Sequence, residues 1–318
     1  MFKSTLLAAT AVGLATGAAW ADFPERPVQV VVPYSAGGST DLSMRVVADT
    51  FERLFEGSTM VIRNQDGGGG GIGSSAVLNA RPDGYTLGAG AQGPLVIKPL
   101  IGGTDYSIDD VEFVGLYARS LQLLVACAEA PFASYDEMMA HAEETPIQVG
   151  NSGAGGANQI SAEAFAEQAG IQIESVPYNG SSEARTACIG GHIDAMVASP
   201  AEAKAASEGD QMTPIFVMED ERIDLFPDTP TAVEKGVDFT WSSWKGVIAP
   251  KGIDEETLTF LRDAVEQVAN DEQFRERLTE MGEFVAYEGP EEFEARAREE
   301  LGTAEAVLEN LDMLGMNN

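Results

Sequence analysis

Short apolar runs alternate with amphipathic helical segments along most of this chain, which restricts it to folds built from both strands and helices. The run from Val28 to Val32 is almost entirely apolar, as is typical of a strand buried on both faces of a sheet. A helical pattern with one apolar face follows from Asp41 to Phe55. Strands that alternate with helices of this length predict an α/β fold with parallel sheets.

The alternation continues in a second half of the chain, which predicts two α/β lobes. Residues 121–126 form a predicted strand, and another strand at residues 147–149 runs into a glycine-rich turn. A helix is predicted from Asn158 to Ala169, where Gly170 would end it. The chain is long enough for two lobes at roughly 100–200 residues per domain.

Three glycine-rich turns are predicted to join a strand to the next helix, at residues 36–41, 89–93 and 152–156. Ligands of open parallel sheets bind beyond the C-terminal ends of the strands, where such turns lie. Glycine lets backbone N–H groups approach a ligand, and the next helix adds unpaired N–H groups and the positive end of its dipole. A carboxylate can therefore be bound without lysine, although backbone geometry alone would explain any single turn. Ser39 or Thr40 is expected to cap the first of these helices.

The first 21 residues have the pattern of a secretory signal peptide. Lys3 provides a basic start, residues 6–19 are small and apolar, and Ala19-Trp20-Ala21 matches an A-x-A cleavage site. The apolar run is too short to span a bilayer, which takes roughly 20 apolar residues. We therefore expect export to the periplasm with cleavage after Ala21. An uncleaved interfacial anchor is the alternative interpretation.

The composition argues against several classes of partner. The formal net charge is −32 and the acidic residues are spread along the chain, so its surface repels nucleic acid and anionic lipid. If the ligand is an anion, backbone N–H groups and helix N-termini must reverse this sign within the cleft. The two cysteines, Cys127 and Cys188, are too few for a disulfide framework. An oxidising compartment would allow them to pair, but we expect two separate, partly buried thiols.

Motifs that would indicate an enzyme are weak. Residues 88–93 fit the G-x-G-x-x-G dinucleotide fingerprint, but two prolines interrupt the long helix that should follow. Ser152 lies in a sequence that misses G-x-S-x-G by one residue, and a hydrolase would need a base, for which His192 is a poor candidate. His141 and His192 also lack metal-ligand spacing. The sequence therefore predicts no catalysis, no cofactor and no bound metal.

Five segments carry recognisable motifs. They are the strand and A-G-G-S-T-D loop of residues 27–41, the Asn-and-Gly segment of residues 61–73, P-D-G-Y-T-L at 82–87, V-P-Y-N-G at 176–180 and W-K-G-V-I-A-P at 244–250. In this order they resemble the substrate-binding proteins of tripartite tricarboxylate transporters, the TctC or Bug family. Each motif is modest alone, whereas five in the right order across nearly the whole mature chain are specific.

The resemblance implies a two-lobed type II periplasmic-binding-protein fold, with a hinge, a central ligand cleft and no enzyme activity. Residues 22–124 and 246–318 would form the first lobe, and residues 125–245 the second. The implied protein is a monomer that binds a small carboxylate and delivers it to the membrane permease subunits of a tripartite tricarboxylate-type transporter. By position, the implied ligand-binding residues are Ala36, Gly37, Gly38, Ser39, Thr40, Asp41, Ala89, Gly90, Ala91, Ser152, Gly153, Ala154, Gly155, Gly156, Pro177, Tyr178 and Asp194.

Three of these residues have an equally good structural interpretation: Asp41 as an acid in a first helical turn, Asp194 as a loop acid and Tyr178 as a core aromatic. The chain also departs from the family pattern, since residues 156–159 lack the serine-rich turn and histidine often found there and Asn179 replaces a common lysine. Fewer hydroxyl and cationic groups favour a mono- or dicarboxylate over a citrate-like trianion. The alternative functions are a ligand-sensing module for a signalling partner and, less favoured, an exported serine hydrolase.

Overall fold

In the residues that the computed structural model describes, 23–207, 209 and 211–315, eleven strands form two separate sheets. The predicted signal peptide, residues 1–21, lies outside the described residues. The strands are β1 (Val28–Val32), β2 (Met60–Asn64), β3 (Thr86–Ala91), β4 (Val111–Leu121), β5 (Leu123–Cys127), β6 (Ile147–Asn151), β7 (Ile173–Pro177), β8 (Ala195–Ala198), β9 (Met212–Val217), β10 (Ser242–Pro250) and β11 (Phe284–Glu288). The first sheet has the order β11-β4-β10-β3-β1-β2, and the second has the order β7-β6-β8-β5-β9.

Helices cover both sheets. They are α1 (Ser39–Leu54), α2 (Gly71–Leu78), α3 (Lys98–Ile101), α4 (Tyr135–Ala142), α5 (Ala157–Ala169), α6 (Ser181–Ile189), α7 (Pro200–Ser207), α8 (Glu255–Asn270), α9 (Glu272–Glu280) and α10 (Pro290–Asn310). Helices α1–α3 and α8–α10 lie with the first sheet and form the first lobe, whereas α4–α7 lie with the second sheet and form the second lobe. Within the described ranges, the helices are too short or too polar to cross a membrane.

Each sheet is buried on both of its faces. In β1, Val30 and Val32 contact one apolar core and Val31 contacts another on the opposite face. In β5, Leu124 and Val125 likewise contribute to two different cores. Successive side chains of a strand point to opposite faces, so an almost continuous apolar run is what such a strand requires. The prediction for residues 28–32 is confirmed.

Both sheets are mixed, so the prediction of parallel sheets is wrong in part. β1 pairs in parallel with β2 and β3, but β10 pairs antiparallel with both β3 and β4. The predicted strand at 121–126 is also two strands, because Gln122 separates β4 in the first sheet from β5 in the second. The chain leaves the first lobe through β4 and returns through β10. These neighbours carry the chain in opposite directions and therefore run antiparallel.

The glycine-rich turn predicted at residues 89–93 is also wrong, because β3 continues to Ala91. β10 supplies the backbone partner for residues 88–91, which a reading of local sequence cannot show. A Cβ added at Gly90 would lie 2.8 Å from Cγ2 of Ile248. This glycine therefore makes room for a side chain of the neighbouring strand. Most of the G-x-G-x-x-G spacing lies within a strand instead of a loop.

Cys127 and Cys188 form a disulfide, which corrects the expectation of two separate thiols. Cys127 ends β5 and Cys188 lies near the end of α6, with 4.9 Å between their Cα atoms. Both residues are buried in the core between α6 and the second sheet. Their proximity depends on how α6 packs on that sheet, and a separation of 61 residues gives no sign of it.

Replacing both cysteines by alanine should lower the free energy of unfolding by about 2–4 kcal/mol, because the bond restricts a long loop in the unfolded chain. Urea unfolding measures this difference. Reductant should lower the urea concentration at the wild-type unfolding midpoint to that of the double variant, and it should leave the midpoint of the variant unchanged. An unchanged wild-type midpoint, at full reduction by thiol titration, would contradict the expectation.

Candidate ligand-binding cleft

A cavity lies between the two lobes, with about 560 Å³ of empty space including the solvent at its mouth. The first lobe contributes Tyr34, Gly38, Ser39, Thr40, Ala91 and Gly93; the segments that cross between the lobes contribute Ser120, Leu121, Gln122, Ser243, Trp244 and Lys245; and the second lobe contributes Ser152, Ala157, Asn158, Ser181, Ser199 and Glu202. Hydroxyl and amide side chains predominate in this lining. A polar cavity shared by two lobes can enclose a small polar ligand.

The two lobes touch beside this cavity through glycine turns. Gly69 of the first lobe faces Gly153 of the second, and a Cβ added at Gly153 would lie 2.7 Å from the Cα of Gly69. A Cβ added at Gly69 would overlap the carbonyl oxygen of Ala154. Ser35 adds a hydrogen bond to Ser182, with 2.6 Å between their Oγ atoms. The lobes are therefore in direct backbone contact, which side chains at these positions would prevent.

Helix α1 begins at the cavity without a side-chain cap. Its first residue is Ser39, two residues before the predicted start, and its N-cap residue is Gly38. The expectation that Ser39 or Thr40 caps this helix is wrong, because Ser39 is already helical. The Oγ of Ser39 instead donates a hydrogen bond of 2.9 Å to Oε1 of Glu283. The first N–H groups of α1 and the positive end of its dipole are left for the cavity.

Two helices of the second lobe begin at the cavity in the same way. The N-cap residues of α5 and α6 are Gly156 and Gly180, and neither helix has a side-chain cap. Ala157 and Asn158 from α5, and Ser181 from α6, line the cavity. The N-termini of three helices, from two lobes, thus meet at one cavity. Uncapped helix N-termini are favourable sites for anions.

Among the described residues that line the cavity, Lys245 is the one cationic side chain. It lies opposite Ala91 in the β3–β10 pairing, and its Nζ donates to Oγ of Ser39 and to Oε1 of Glu283. Lys245 and Glu283 are both buried, so the pair adds little net charge to the cavity. Sequence reasoning placed Lys245 in a motif but not in the site. The available signal was a lysine within the otherwise apolar run of residues 244–250, which needs a buried partner.

Asp41 lies behind the cavity and supports its wall. Its carboxylate accepts hydrogen bonds from the Gly37 N–H (2.8 Å), from Nε of Arg45 (3.0 Å) and from Nδ2 of Asn64 (3.0 Å). Burial alone would raise the pKa of Asp41, but these hydrogen bonds outweigh burial and hold the pKa below its usual value. The carboxylate thereby fixes the loop that brings Gly38 to the cavity.

The structure brings some of the predicted site residues to the cavity and places the others elsewhere. Those that line it are Gly38, Ser39, Thr40, Ala91 and Ser152. Those that do not are Ala36, Gly37, Asp41, Ala89, Gly90, Gly153, Ala154, Gly155, Gly156, Pro177, Tyr178 and Asp194. Tyr178 packs against the core beneath α6. Asp194 precedes β8 at the end away from the cavity, where its Oδ2 accepts a hydrogen bond from the Gln148 N–H.

Sequence reasoning missed the lining residues of the crossing segments and of the β8–α7 connection. They include Ser120, Gln122, Ser199, Glu202 and Ser243. No glycine-rich pattern marks them, although the S-P-A-E sequence at 199–202 has the spacing of a capping box. Neither histidine of the chain is among the lining residues. In the part of the chain that the structure describes, no group of three or more metal-ligating side chains is placed to hold a metal ion.

Two α/β lobes joined by crossing strands around a polar cavity define a two-lobed periplasmic binding protein. The solved structure of BugD covers 92% of this chain and 100% of its own, with a TM-score of 0.87 and 26% identity. Rpa4515 of R. palustris with adipate has a TM-score of 0.86 and 28% identity, over 91% of this chain and 98% of its own. MatC of Rhodopseudomonas palustris with bound malate has a TM-score of 0.83 and 29% identity, and the match covers 90% of this chain and 100% of its own.

The chain belongs to the tripartite tricarboxylate transporter family receptor group, TctC, whose family model matches residues 43–313. The UPF0065 protein in the gbd 5′ region of Cupriavidus necator is 30% identical over 98% of this chain and 96% of its own length. The resemblance inferred from the five sequence motifs is confirmed. Family members are periplasmic binding proteins, and this family and fold are those of substrate-binding proteins.

Replacing Asp41 by asparagine should lower the free energy of unfolding at pH 7 by about 2–3 kcal/mol, because buried donors lose a charged acceptor. The folded-state pKa of Asp41 is depressed, so its contribution is fully present above the unfolded value of about 4 and is lost as the pH falls through the folded value. The stability gap between wild type and variant should therefore narrow below about pH 4. Urea unfolding at several pH values measures this gap.

Asp49→Asn is the matched control on the same helix. Asp49 pairs with Arg277 at 2.9 Å, but both side chains are exposed, so this substitution should change stability by less than about 1 kcal/mol. A gap for Asp41→Asn that stays constant on acidification would contradict the assignment of these hydrogen bonds to the ionised carboxylate.

Proposed function

We propose that this protein is exported, captures a small carboxylate in the cleft between its lobes, and presents it as a monomer to the membrane permease subunits of a tripartite tricarboxylate-type transporter. The observation that carries the proposal is the meeting of three uncapped helix N-termini, from both lobes, at one cavity. Membership of the receptor family supports the permease as partner. The relatives solved with adipate and malate support a carboxylate ligand. The signal-peptide pattern of residues 1–21 supports export.

Local electrostatics allow such a cleft to hold an anion within a strongly acidic protein. Salt screens the surface charges over about 8 Å, so a net charge of −32 acts weakly inside a closed cavity. A helix N-terminus stabilises a nearby negative charge by about 0.3–1 kcal/mol when exposed and up to about 2 kcal/mol when partly buried. Three of them acting together would contribute on the order of 1–6 kcal/mol. Hydrogen bonds from their N–H groups would then fix the orientation of the carboxylate.

A mono- or dicarboxylate suits this cleft better than a trianion. Lys245 is already paired with Glu283, so a ligand carboxylate would depend on backbone N–H groups and on hydroxyl groups such as that of Ser152. Each further carboxylate needs its own set of donors, because a buried charge without them costs several kcal/mol, on the order of the desolvation penalty of an ion. The third carboxylate of a citrate-like ligand would be the hardest to satisfy.

Binding would favour the closed arrangement of the lobes, for which we propose boundaries at Gln122, between β4 and β5, and at Ser242, where β10 begins. A ligand that contacts α1 on one side and α5 and α6 on the other finds all of its donors only when the lobes are together. Its affinity for the closed form is then higher, and the population shifts toward that form. Two connections at the cleft, one through Gln122 and one into β10, suit a hinge motion. The permease would then recognise the closed form.

A panel of acids tests this proposal. It contains mono-, di- and tricarboxylates, amino acids, and the methyl esters of the same acids, which lack the carboxylate charge, and binding is monitored by thermal unfolding and calorimetry. At least one mono- or dicarboxylate, with or without an amino group, should stabilise the protein by about 2.7 kcal/mol at one hundred times its Kd. Its ester should have no effect. If no acid in the panel binds, the proposed function is wrong. If citrate stabilises the protein strongly and the smaller acids do not, the preference for a mono- or dicarboxylate over a tricarboxylate is wrong.

Replacing Gly69 by alanine should weaken binding of whichever acid the panel identifies by about tenfold or more, which corresponds to 1.4 kcal/mol. The added Cβ would overlap the Ala154 carbonyl oxygen only when the lobes are closed. Calorimetry measures the affinity, and small-angle X-ray scattering should show a smaller ligand-induced contraction than for the wild type.

Gly68→Ala is the matched control. Gly68 has a positive φ like Gly69 (+60° against +64°), but its added Cβ would only make an ordinary contact of 3.6 Å with Cγ1 of Ile72. Both variants carry a similar backbone cost, and only the Gly69 variant also opposes closure. Equal losses of affinity in the two variants would argue against closure as the step that Gly69 permits.

A further inference from the structure

A fourth helix begins at the cavity, but a carboxylate occupies its N-terminus. Helix α7 starts after Ser199, and Glu202 stands at the third helical position of a capping box. Oε2 of Glu202 accepts hydrogen bonds from the N–H (3.0 Å) and from the Oγ (2.9 Å) of Ser199. The N-termini of α1, α5 and α6 present donors to the cavity, whereas that of α7 presents an acid.

The other oxygen of Glu202 has no hydrogen-bond partner among the residues that the structure describes. The residue is 2% exposed and lines the cavity, and its Oε1 is fully buried without a hydrogen bond. Within the described part of the chain, Glu202 takes part in no salt bridge, and the nearest cation of the lining, Lys245, is bonded to Glu283. A capping box explains Oε2 but leaves Oε1 unexplained, since a buried carboxylate oxygen without a donor is unfavourable.

A ligand that carries only carboxylates would offer no donor to Oε1 of Glu202 and would add a second negative charge beside it. Its negative charge would enter a closed cavity that already holds the carboxylate of Glu202 without a cationic partner, and like charges repel more strongly where water is excluded. A ligand with a carboxylate at one end and a cationic hydrogen-bond donor at the other would instead satisfy both kinds of group. An ammonium group supplies up to three N–H donors and a positive charge.

We propose that Glu202 is a specificity-determining residue that binds the ammonium group of the ligand, so that the substrate class is the zwitterionic aminocarboxylates. The inference rests on the proposed function, because the carboxylate of the same ligand binds at the N-termini of α1, α5 and α6. Gln122 lies in the same lining, its buried amide oxygen has no partner in the described part of the chain, and it provides a second acceptor for the ammonium group. Both acceptors lie where the lobes meet, so the ammonium group also helps to hold the lobes together.

The test compares acids that differ only by an amino group: L-aspartate with succinate, L-glutamate with glutarate, and L-alanine with propionate. In the wild type, calorimetry should show that the amino member of at least one pair binds about tenfold or more tighter than its partner. In Glu202→Gln this ratio should fall to about threefold or less, or invert. Glutamine keeps the capping box through its amide oxygen and turns an N–H₂ donor toward the ligand, so the fold and α7 are retained.

Glu183→Gln is the matched control, because Glu183 stands at the third position of α6 and is exposed, outside the cavity lining. It should leave the ratio unchanged while altering the net charge equally. Tighter binding of the acids without an amino group in the wild type would overturn the inference and leave the proposed function standing. A Glu202→Gln variant that weakens both members of a pair equally would show that Glu202 has only a structural role. Failure of every acid in all three pairs, while another acid of the wider panel binds, would likewise overturn the inference and leave the proposed function standing.

Discussion

The cleft depends on peptide N–H groups that no side chain has already satisfied. A serine or aspartate cap stabilises a helix by about 1 kcal/mol relative to alanine and by only a few tenths relative to glycine, and it does so by bonding the same N–H groups that an anion would use. Helices α4, α8 and α9, whose N-termini lie away from the cavity, have such caps in Ser134, Asp254 and Asp271. The three helices that begin at the cavity with free N-termini follow glycine instead. A glycine N-cap thus leaves these donors available at a small cost in local stability, although α10, which begins away from the cavity, also follows an uncapped glycine.

Glycine has a second role in this structure, because it also allows the backbones of the two lobes to come into contact. The sequence alone could separate this role from that of leaving helix N–H groups free only in part. The turns predicted at 36–41 and 152–156 do join a strand to a helix, although α1 begins at Ser39, inside the first of them; each lies between a predicted strand and a clear helical pattern. The turn at 89–93 was not, because Gly90 serves strand packing against Ile248 and the pairing partner lies about 150 residues away in the chain. Glycine indicates a backbone constraint, but the neighbour that imposes it is visible only in the structure.

The β1–α1 unit, α5, α6 and the C-terminal helices could be predicted because their signals are local: apolar periodicity and turn residues. Thirteen of the eighteen residues that line the cavity were not among the predicted site residues. Lys245 reaches the cavity because β10 returns from the second lobe and pairs with β3, and Glu202 reaches it because β8 ends beside the crossing segment at Gln122. Both placements follow from strand order across two sheets. Apart from Lys245, the site residues carried by the crossing segments therefore had no local sequence signal.

The distribution of charge in the cavity follows from which groups each lobe contributes. The first lobe supplies one open helix N-terminus and a neutralised Lys245–Glu283 pair, whereas the second supplies two open N-termini and the carboxylate of Glu202. Donors and acceptor in the second lobe come from helices that follow different strands of one sheet, so their separation is set by the spacing of strands, about 4.8 Å between neighbours. A rigid sheet thus fixes the distance between the positive and negative parts of the cavity. The ligand that fits is one whose own charges are separated to match, which makes the order of strands in the second sheet a determinant of specificity.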